Sequence, residues 1–289
     1  MNDSVQLATE DSMETRAAET KTAPSKDGTS IAYTVTGDGP VLVLVDAAGH
    51  FRRLSSFDGL STVLAEHFRV VQYDRRGRGA SSDFSGTDRT PDAVVQREVD
   101  DLAAVVAANG GSAYVHGFSS GALLALHASV RGLATTAMTV LEPPIDSTAP
   151  HGPSENQQAF TRELTRLVDS GDREATLDFY LTEIGVPDDV VARMRSTDSW
   201  SLMRSVSHTL VYDSLISEAT SSKMLASVTA PTLVLDSAGS TDDLTGMAAT
   251  VARHIPGSAH LSLPGEWHGV ADRHLASALT TFFLHSAKR

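Results

Sequence analysis

The chain has 289 residues with no cysteine, and its 36 acidic against 23 basic side chains give a formal net charge of −13. With 41% hydrophobic and 20% charged residues it can build a sizeable core, so general disorder is excluded. The missing cysteine excludes a disulfide framework, thiolate metal sites and a cysteine nucleophile, and the acidic balance argues against nucleic acid and anionic membrane surfaces as partners.

Residues 1–19 are polar, lack hydrophobic periodicity and read as a disordered tail. Asp3, Glu10, Asp11, Glu14 and Glu19 with no apolar block argue against a secretory signal. The longest apolar runs, such as Val41–Val45, are of strand length, far below the roughly 18 residues of a membrane span. The expectation is therefore a cytoplasmic protein. Glu19–Ala23 and Ser30–Thr36 predict a hairpin about Lys26-Asp27-Gly28. Val41–Val45 predicts a strand covered on both faces. A helix over Asp58–His67, a strand Arg69–Tyr73 and a helix Pro91–Asn109, opened by Thr90-Pro91, come next. After them stand a strand Ala113–His116, a turn Gly117–Gly121, a helix Gly121–Val130 and a strand Ala137–Leu141. Strands alternating with helices predict an α/β fold with a mostly parallel, doubly wound sheet.

The alternation stops at Pro143-Pro144. Residues 146–228 show helical stretches, Glu155–Val168, Arg173–Ile184 and Asp188–Met194, and no convincing strand, which reads as an inserted helical cap. The rhythm resumes with a strand Thr232–Asp236, a helix Thr241–His254, a strand Ala259–Leu263 and a helix Asp272–Ser286. Residues 20–145 and 229–289 thus form the two parts of one core.

Gly117-Phe118-Ser119-Ser120-Gly121 is a G-x-S-x-G where a predicted strand turns into a predicted helix. A nucleophile on so sharp a turn requires both glycines, because a side chain at either would collide with the strand and helix it joins. Asp74-Arg75-Arg76-Gly77-Arg78-Gly79-Ala80-Ser81 and Gly265-Glu266-Trp267-His268 are two further segments of note. Together these resemble the α/β-hydrolase superfamily: its nucleophile elbow, its D-x-R-G-x-G-x-S turn and its late G-x-x-H. The elbow with Leu141-Glu142-Pro143-Pro144 resembles a bacterial subset of serine-nucleophile members. The resemblance covers about Thr20 to the C-terminus and implies the hydrolase-type sheet with an inserted helical cap.

A serine hydroxyl needs a base within reach. His268, 149 residues after Ser119 and in the serine-before-histidine order of this fold, is the candidate. His116 reads as a packing residue and His50 as a possible substrate contact. An acid must orient the imidazole. Glu142, 23 residues after Ser119 and restrained by two prolines, is favoured. Asp242 or Asp243 is the alternative, though Asp242 also suits a helix cap, and Ser240 aligns with the acid position of many members. By the resemblance, Ser120 and Ala48 would supply the two oxyanion N–H groups. Asp46 replaces the usual histidine of that loop, either to hydrogen-bond its own loop or to face the pocket. Trp267, beside His268, is the expected substrate contact. Phe160, Phe179, Tyr180, Trp200 and Tyr212 line the pocket roof or form the cap's core. No phosphate loop, dinucleotide fingerprint or metal-ligand spacing is present, so no cofactor or metal is implied.

The expectation is a serine hydrolase acting on an ester, lactone or thioester of a small to medium, apolar molecule through a Ser-His-acid triad. The alternatives are a C–C bond hydrolase or non-hydrolytic biosynthetic enzyme on the same fold, and a non-catalytic ligand-binding receptor.

Overall fold

The computed structural model describes residues 19–84, 86–145 and 152–286. Apart from Glu19, the tail expected over residues 1–19 lies outside them, as does the start of the segment expected as a cap. Lys21–Pro24 (β1) and Ser30–Thr36 (β2) form the opening hairpin. Val41–Val45 (β3), Asp58–Leu64 (α1), Arg69–Tyr73 (β4), Pro91–Ala108 (α2), Ala113–Phe118 (β5), Ser120–Val130 (α3) and Thr135–Leu141 (β6) follow. The helices Glu155–Ser170 (α4), Arg173–Glu183 (α5), Asp188–Arg195 (α6), Asp198–Val206 (α7), Leu210–Ala219 (α8) and Ser222–Leu225 (α9) then intervene, with a 3-10 turn at Ser207–Thr209 before α8. The chain returns to the sheet with Thr232–Ser237 (β7), Asp242–His254 (α10) and Ala259–Leu263 (β8). A small hairpin, Gly265–Glu266 (β9) and Gly269–Val270 (β10), precedes the last helix, Asp272–Ser286 (α11).

Eight strands make one sheet in the order β1-β2-β4-β3-β5-β6-β7-β8. β1 with β2 and β2 with β4 are antiparallel, and every other pair is parallel. β5 and β7 are buried along their whole length, as the apolar strands of a sheet covered on both faces must be. One face packs on α2, α3 and α10 through Val99, Leu102, Leu123, Leu126 and Val251. The other packs on α1 and α11 through Leu60, Leu64, Leu275, Leu279 and Phe283. Leu123, wholly inside the first layer, would leave a cavity costing about 2–5 kcal/mol if cut to Ala.

The helical insertion between β6 and β7 has a core of its own, formed by Leu164, Leu177, Leu181, Trp200, Met203, Leu210 and Tyr212. Phe160, Phe179, Tyr180 and Ala48 pack against it, so the aromatic residues of this segment hold the helices together and meet the loop after β3. α7, α8 and α9 sit where the sequence pattern gives no separate helices. Among the described residues, no helix is long and apolar enough to cross a membrane.

Candidate active site

β5 enters the elbow through Gly117. A Cβ there would lie 2.6 Å from Gly121 O and from Ala122 Cα, and one on Gly121 would lie 2.2 Å from Val45 O. Both glycines are therefore required, one to let α3 fold back over its strand and the other to let α3 approach β3. Between them Ser119 takes φ 53° and ψ −123°, outside the regions comfortable for a residue with a side chain. Backbone bonds hold the strain in place: Ser119 N–H donates to Leu141 O at 2.9 Å and Ser119 O accepts from Ala122 N–H at 2.9 Å. Ser119 is half-buried at the N-terminal end of α3.

Glu142 and His268 meet directly, the imidazole Nδ1 lying 2.5 Å from one carboxylate oxygen. The other oxygen accepts from Ser237 N–H at 2.8 Å and from the Ser240 hydroxyl at 2.6 Å. Ser240 Oγ also accepts from the backbone N–H of His268 at 2.9 Å, so one hydroxyl fixes both the acid and the histidine. Burial raises the Glu142 carboxyl, but the bonds from His268, Ser240 and Ser237 outweigh it and hold the group below the ordinary carboxylate range. His268 occupies the tip of the β9–β10 hairpin with φ 52°. Its ring lies 4.7 Å from that of Phe118, the neighbour of Ser119, and 5.5 Å from that of Trp267. Among the described residues no hydrogen bond joins the Ser119 hydroxyl to the imidazole; such bonds are often long until substrate is bound. Asp242 and Asp243 are exposed in the first turn of α10, whose cap is the Thr241 hydroxyl, and neither touches His268. The described residues with positive φ other than glycine are Ser119, Glu142 and His268, three residues far apart in sequence.

The loop after β3 is closed by its own acid. One Asp46 oxygen accepts from Ala47 N–H at 2.8 Å, and the other from the Ser55 hydroxyl at 2.8 Å and Ser56 N–H at 3.1 Å. Asp46 is buried and holds its own loop, the first of the two roles open from sequence. The N–H groups of Ala48 and Ser120 have no acceptor among the described residues, as oxyanion donors require. The His50 ring bonds the Ala48 carbonyl at 2.9 Å. His116 is a buried packing residue whose Nδ1 meets the Thr139 hydroxyl at 2.8 Å, and burial pushes its ring down to about 3.

What sequence reasoning missed lies under the elbow. The segment Asp74–Ser81 buries three guanidinium groups, those of Arg75, Arg76 and Arg78. Arg76 grips Asp101 through two bonds of 2.7 Å, and Arg75 grips Glu98 through bonds of 2.9 and 2.7 Å. Asp213, on α8 of the insertion, takes Arg75 at 2.6 Å and the Ser120 hydroxyl at 2.8 Å on one oxygen, and Arg78 at 2.6 Å on the other. Burial raises the Asp213 carboxyl, but the two arginines outweigh this and keep it below its usual value. A buried charge so paired is costly to orphan, by about 3–5 kcal/mol.

Comparison with known proteins agrees with this architecture. Residues 33–276 match the model of the alpha/beta hydrolase family, and the chain belongs to that family. It is 37% identical to an alpha/beta hydrolase from Sphaerobacter thermophilus DSM 20745, with a TM-score of 0.80 over 91% of this chain and 100% of that one. A thermophilic esterase from Thermogutta terrifontis shares the fold at a TM-score of 0.73 and 18% identity, over 93% of this chain and 99% of that one. The hydrolase YraK of Bacillus subtilis (strain 168) is 33% identical over 105 residues, 36% of this chain and 37% of YraK.

Proposed function

We propose that this hydrolase cleaves a carboxylic ester, lactone or thioester of a small to medium apolar molecule, by way of an acyl-enzyme on Ser119. His268 Nε2 takes the serine proton as the hydroxyl attacks the carbonyl, and then delivers it to the departing alcohol or thiol. Glu142 keeps the Nδ1 proton on its own side of the ring and stabilises the imidazolium that forms. The N–H groups of Ala48 and Ser120 receive the charge on the carbonyl oxygen, aided by the N-terminal end of α3. Water, activated by His268, releases the acid and restores Ser119. The helices of the insertion act as a cap over this site, and Trp267, 40% exposed beside His268, offers an apolar wall for substrate.

The observation that carries the reading is the coincidence of backbone strain with chemistry. Ser119, Glu142 and His268 each hold a positive φ, which only a few per cent of residues with a side chain adopt. They follow β5, β6 and β8, and strained backbone in separate loops at one edge of a sheet is a mark of a site rather than of packing. The test is a panel of p-nitrophenyl esters and simple lactones against wild type and Ser119→Ala. Turnover by wild type that the variant lacks is expected. Wild type inert throughout the panel, or a variant as active as wild type, would end this reading.

A further inference from the structure

Arg78 is wholly buried, and its donors are spent in an unusual way. Nη2 reaches Asp213 at 2.6 Å, Nε reaches the Thr209 hydroxyl at 3.1 Å, and Nη1 donates to the carbonyl of Ala47 at 3.0 Å and to that of His50 at 3.4 Å. The Ala47 carbonyl belongs to the same peptide as the Ala48 N–H. In a trans peptide these groups point in opposite directions, so a donor fixed on the oxygen aims the N–H away from it and polarises it. His50 N–H also bonds this carbonyl, at 3.3 Å, so the carbonyl end of the peptide is held twice.

The same assembly reaches the second oxyanion donor. Asp213 binds Arg78 with one oxygen and the Ser120 hydroxyl with the other, the latter at 2.8 Å. Ser120, Asp213, Arg78 and the Ala47–Ala48 peptide therefore form one chain of hydrogen bonds, buried throughout except at Ala48. It ties residues from the elbow, from the turn after β4, from the loop after β3 and from α8. We propose that Arg78 is a positioning residue for the oxyanion hole, and that Asp213 locks it so that the Ala48 and Ser120 N–H groups keep a fixed separation. This rests on the reading of those two N–H groups as the oxyanion donors. Arg78 touches no reacting atom; it acts through the peptide it holds. Because Asp213 lies on the helical insertion, that insertion sets the geometry of the hole as well as covering it.

The experiment compares wild type, Arg78→Lys, Arg78→Met, Asp213→Asn and Ser119→Ala. The readouts are kcat and KM on the best ester, and the inhibition constant of a trifluoromethyl ketone of the same shape. That ketone forms a tetrahedral adduct whose oxygen lies in the hole, so its affinity measures the hole directly. Loss of one well-placed donor costs about a hundredfold or more, so loosening one should lower kcat by about tenfold to a hundredfold in Arg78→Met. KM should stay within about twofold, and ketone affinity should fall by the same factor as kcat/KM. Arg78→Lys, whose single ammonium cannot reproduce the fork of donors to Asp213, Thr209, Ala47 and His50, should fall between. The shape of the pH profile should be kept, because Arg78 contacts neither His268 nor Glu142. If Arg78→Met does not fold, Arg78→Lys and Asp213→Asn decide by the same criteria. A folded variant with wild-type kcat, or one that loses kcat while binding the ketone normally, would overturn the proposal. Full activity in Ser119→Ala would instead overturn the reading of the active site on which it rests.

Discussion

Replacing Glu142 by Gln preserves the side chain's volume and removes its charge. In the structure one carboxylate oxygen takes the Ser237 N–H at 2.8 Å and the Ser240 hydroxyl at 2.6 Å, while the other meets His268 Nδ1 at 2.5 Å. A glutamine has one oxygen to give. If that oxygen keeps the two donors, its NH2 faces Nδ1, which must then accept, so the ring proton moves to Nε2, facing the serine, and the base is lost. If the amide turns over, its NH2 is pressed against the Ser237 N–H, leaving unmatched buried groups at a cost of about 1–3 kcal/mol. The first arrangement wins, and the imidazole is held in the wrong tautomer. Turnover should fall about 10³- to 10⁴-fold, which is about 4–5.5 kcal/mol of barrier, with the fold intact. The assay is p-nitrophenyl acetate hydrolysis with a urea melt on the same preparations, and Asp242→Asn serves as the control because Asp242 is exposed on α10. A Glu142→Gln enzyme within tenfold of wild type, or a hundredfold loss in Asp242→Asn, would refute the reasoning.

Other predictions follow from neighbouring geometry. Ser240→Ala removes one bond to Glu142 and one from the His268 backbone, so kcat should fall about tenfold with a stability loss of about 1–2 kcal/mol, read by kinetics and urea titration. Gly121→Ala drives a methyl to 2.2 Å from Val45 O, which backbone cannot yield easily; a loss of about 3 kcal/mol or an insoluble product is expected. Burial lowers His116 to about 3 and His127 to about 4, so both are neutral in the folded state where the unfolded chain is protonated. Their contribution is complete above the unfolded value of 6.5 and is lost as pH falls toward 4, at about 1.4 kcal/mol per pH unit for each. Urea midpoints between pH 7 and pH 4.5 should drop accordingly, and a flat profile would count against this burial of the two rings.

The elbow was legible because its constraints are local: two glycines, one serine, and a strand-to-helix change of period. The prolines after Glu142 favoured it over Asp242 as the partner of His268, and the structure sets Glu142, not Asp242, against that ring. Ser240 aligned with the acid position of many members, yet nothing in the sequence revealed that its hydroxyl would bridge Glu142 and His268, a contact spanning 98 residues on the Glu142 side. Asp213 was invisible for the same reason. On α8 it stands beside a second buried polar residue, Ser214, and its meaning depends on Arg78, 135 residues earlier. The turn Asp74–Ser81 resembled a structural motif, but its three arginines say nothing locally of burial. The β9–β10 hairpin escaped because two-residue strands leave no periodicity to read.

The most direct measurement is intact-protein mass after treatment with a fluorophosphonate, for wild type and Ser119→Ala together. The account predicts one adduct per wild-type chain and none on the variant. An unmodified, folded wild type, or an adduct that persists in Ser119→Ala, would contradict the central claim that Ser119 is the activated nucleophile.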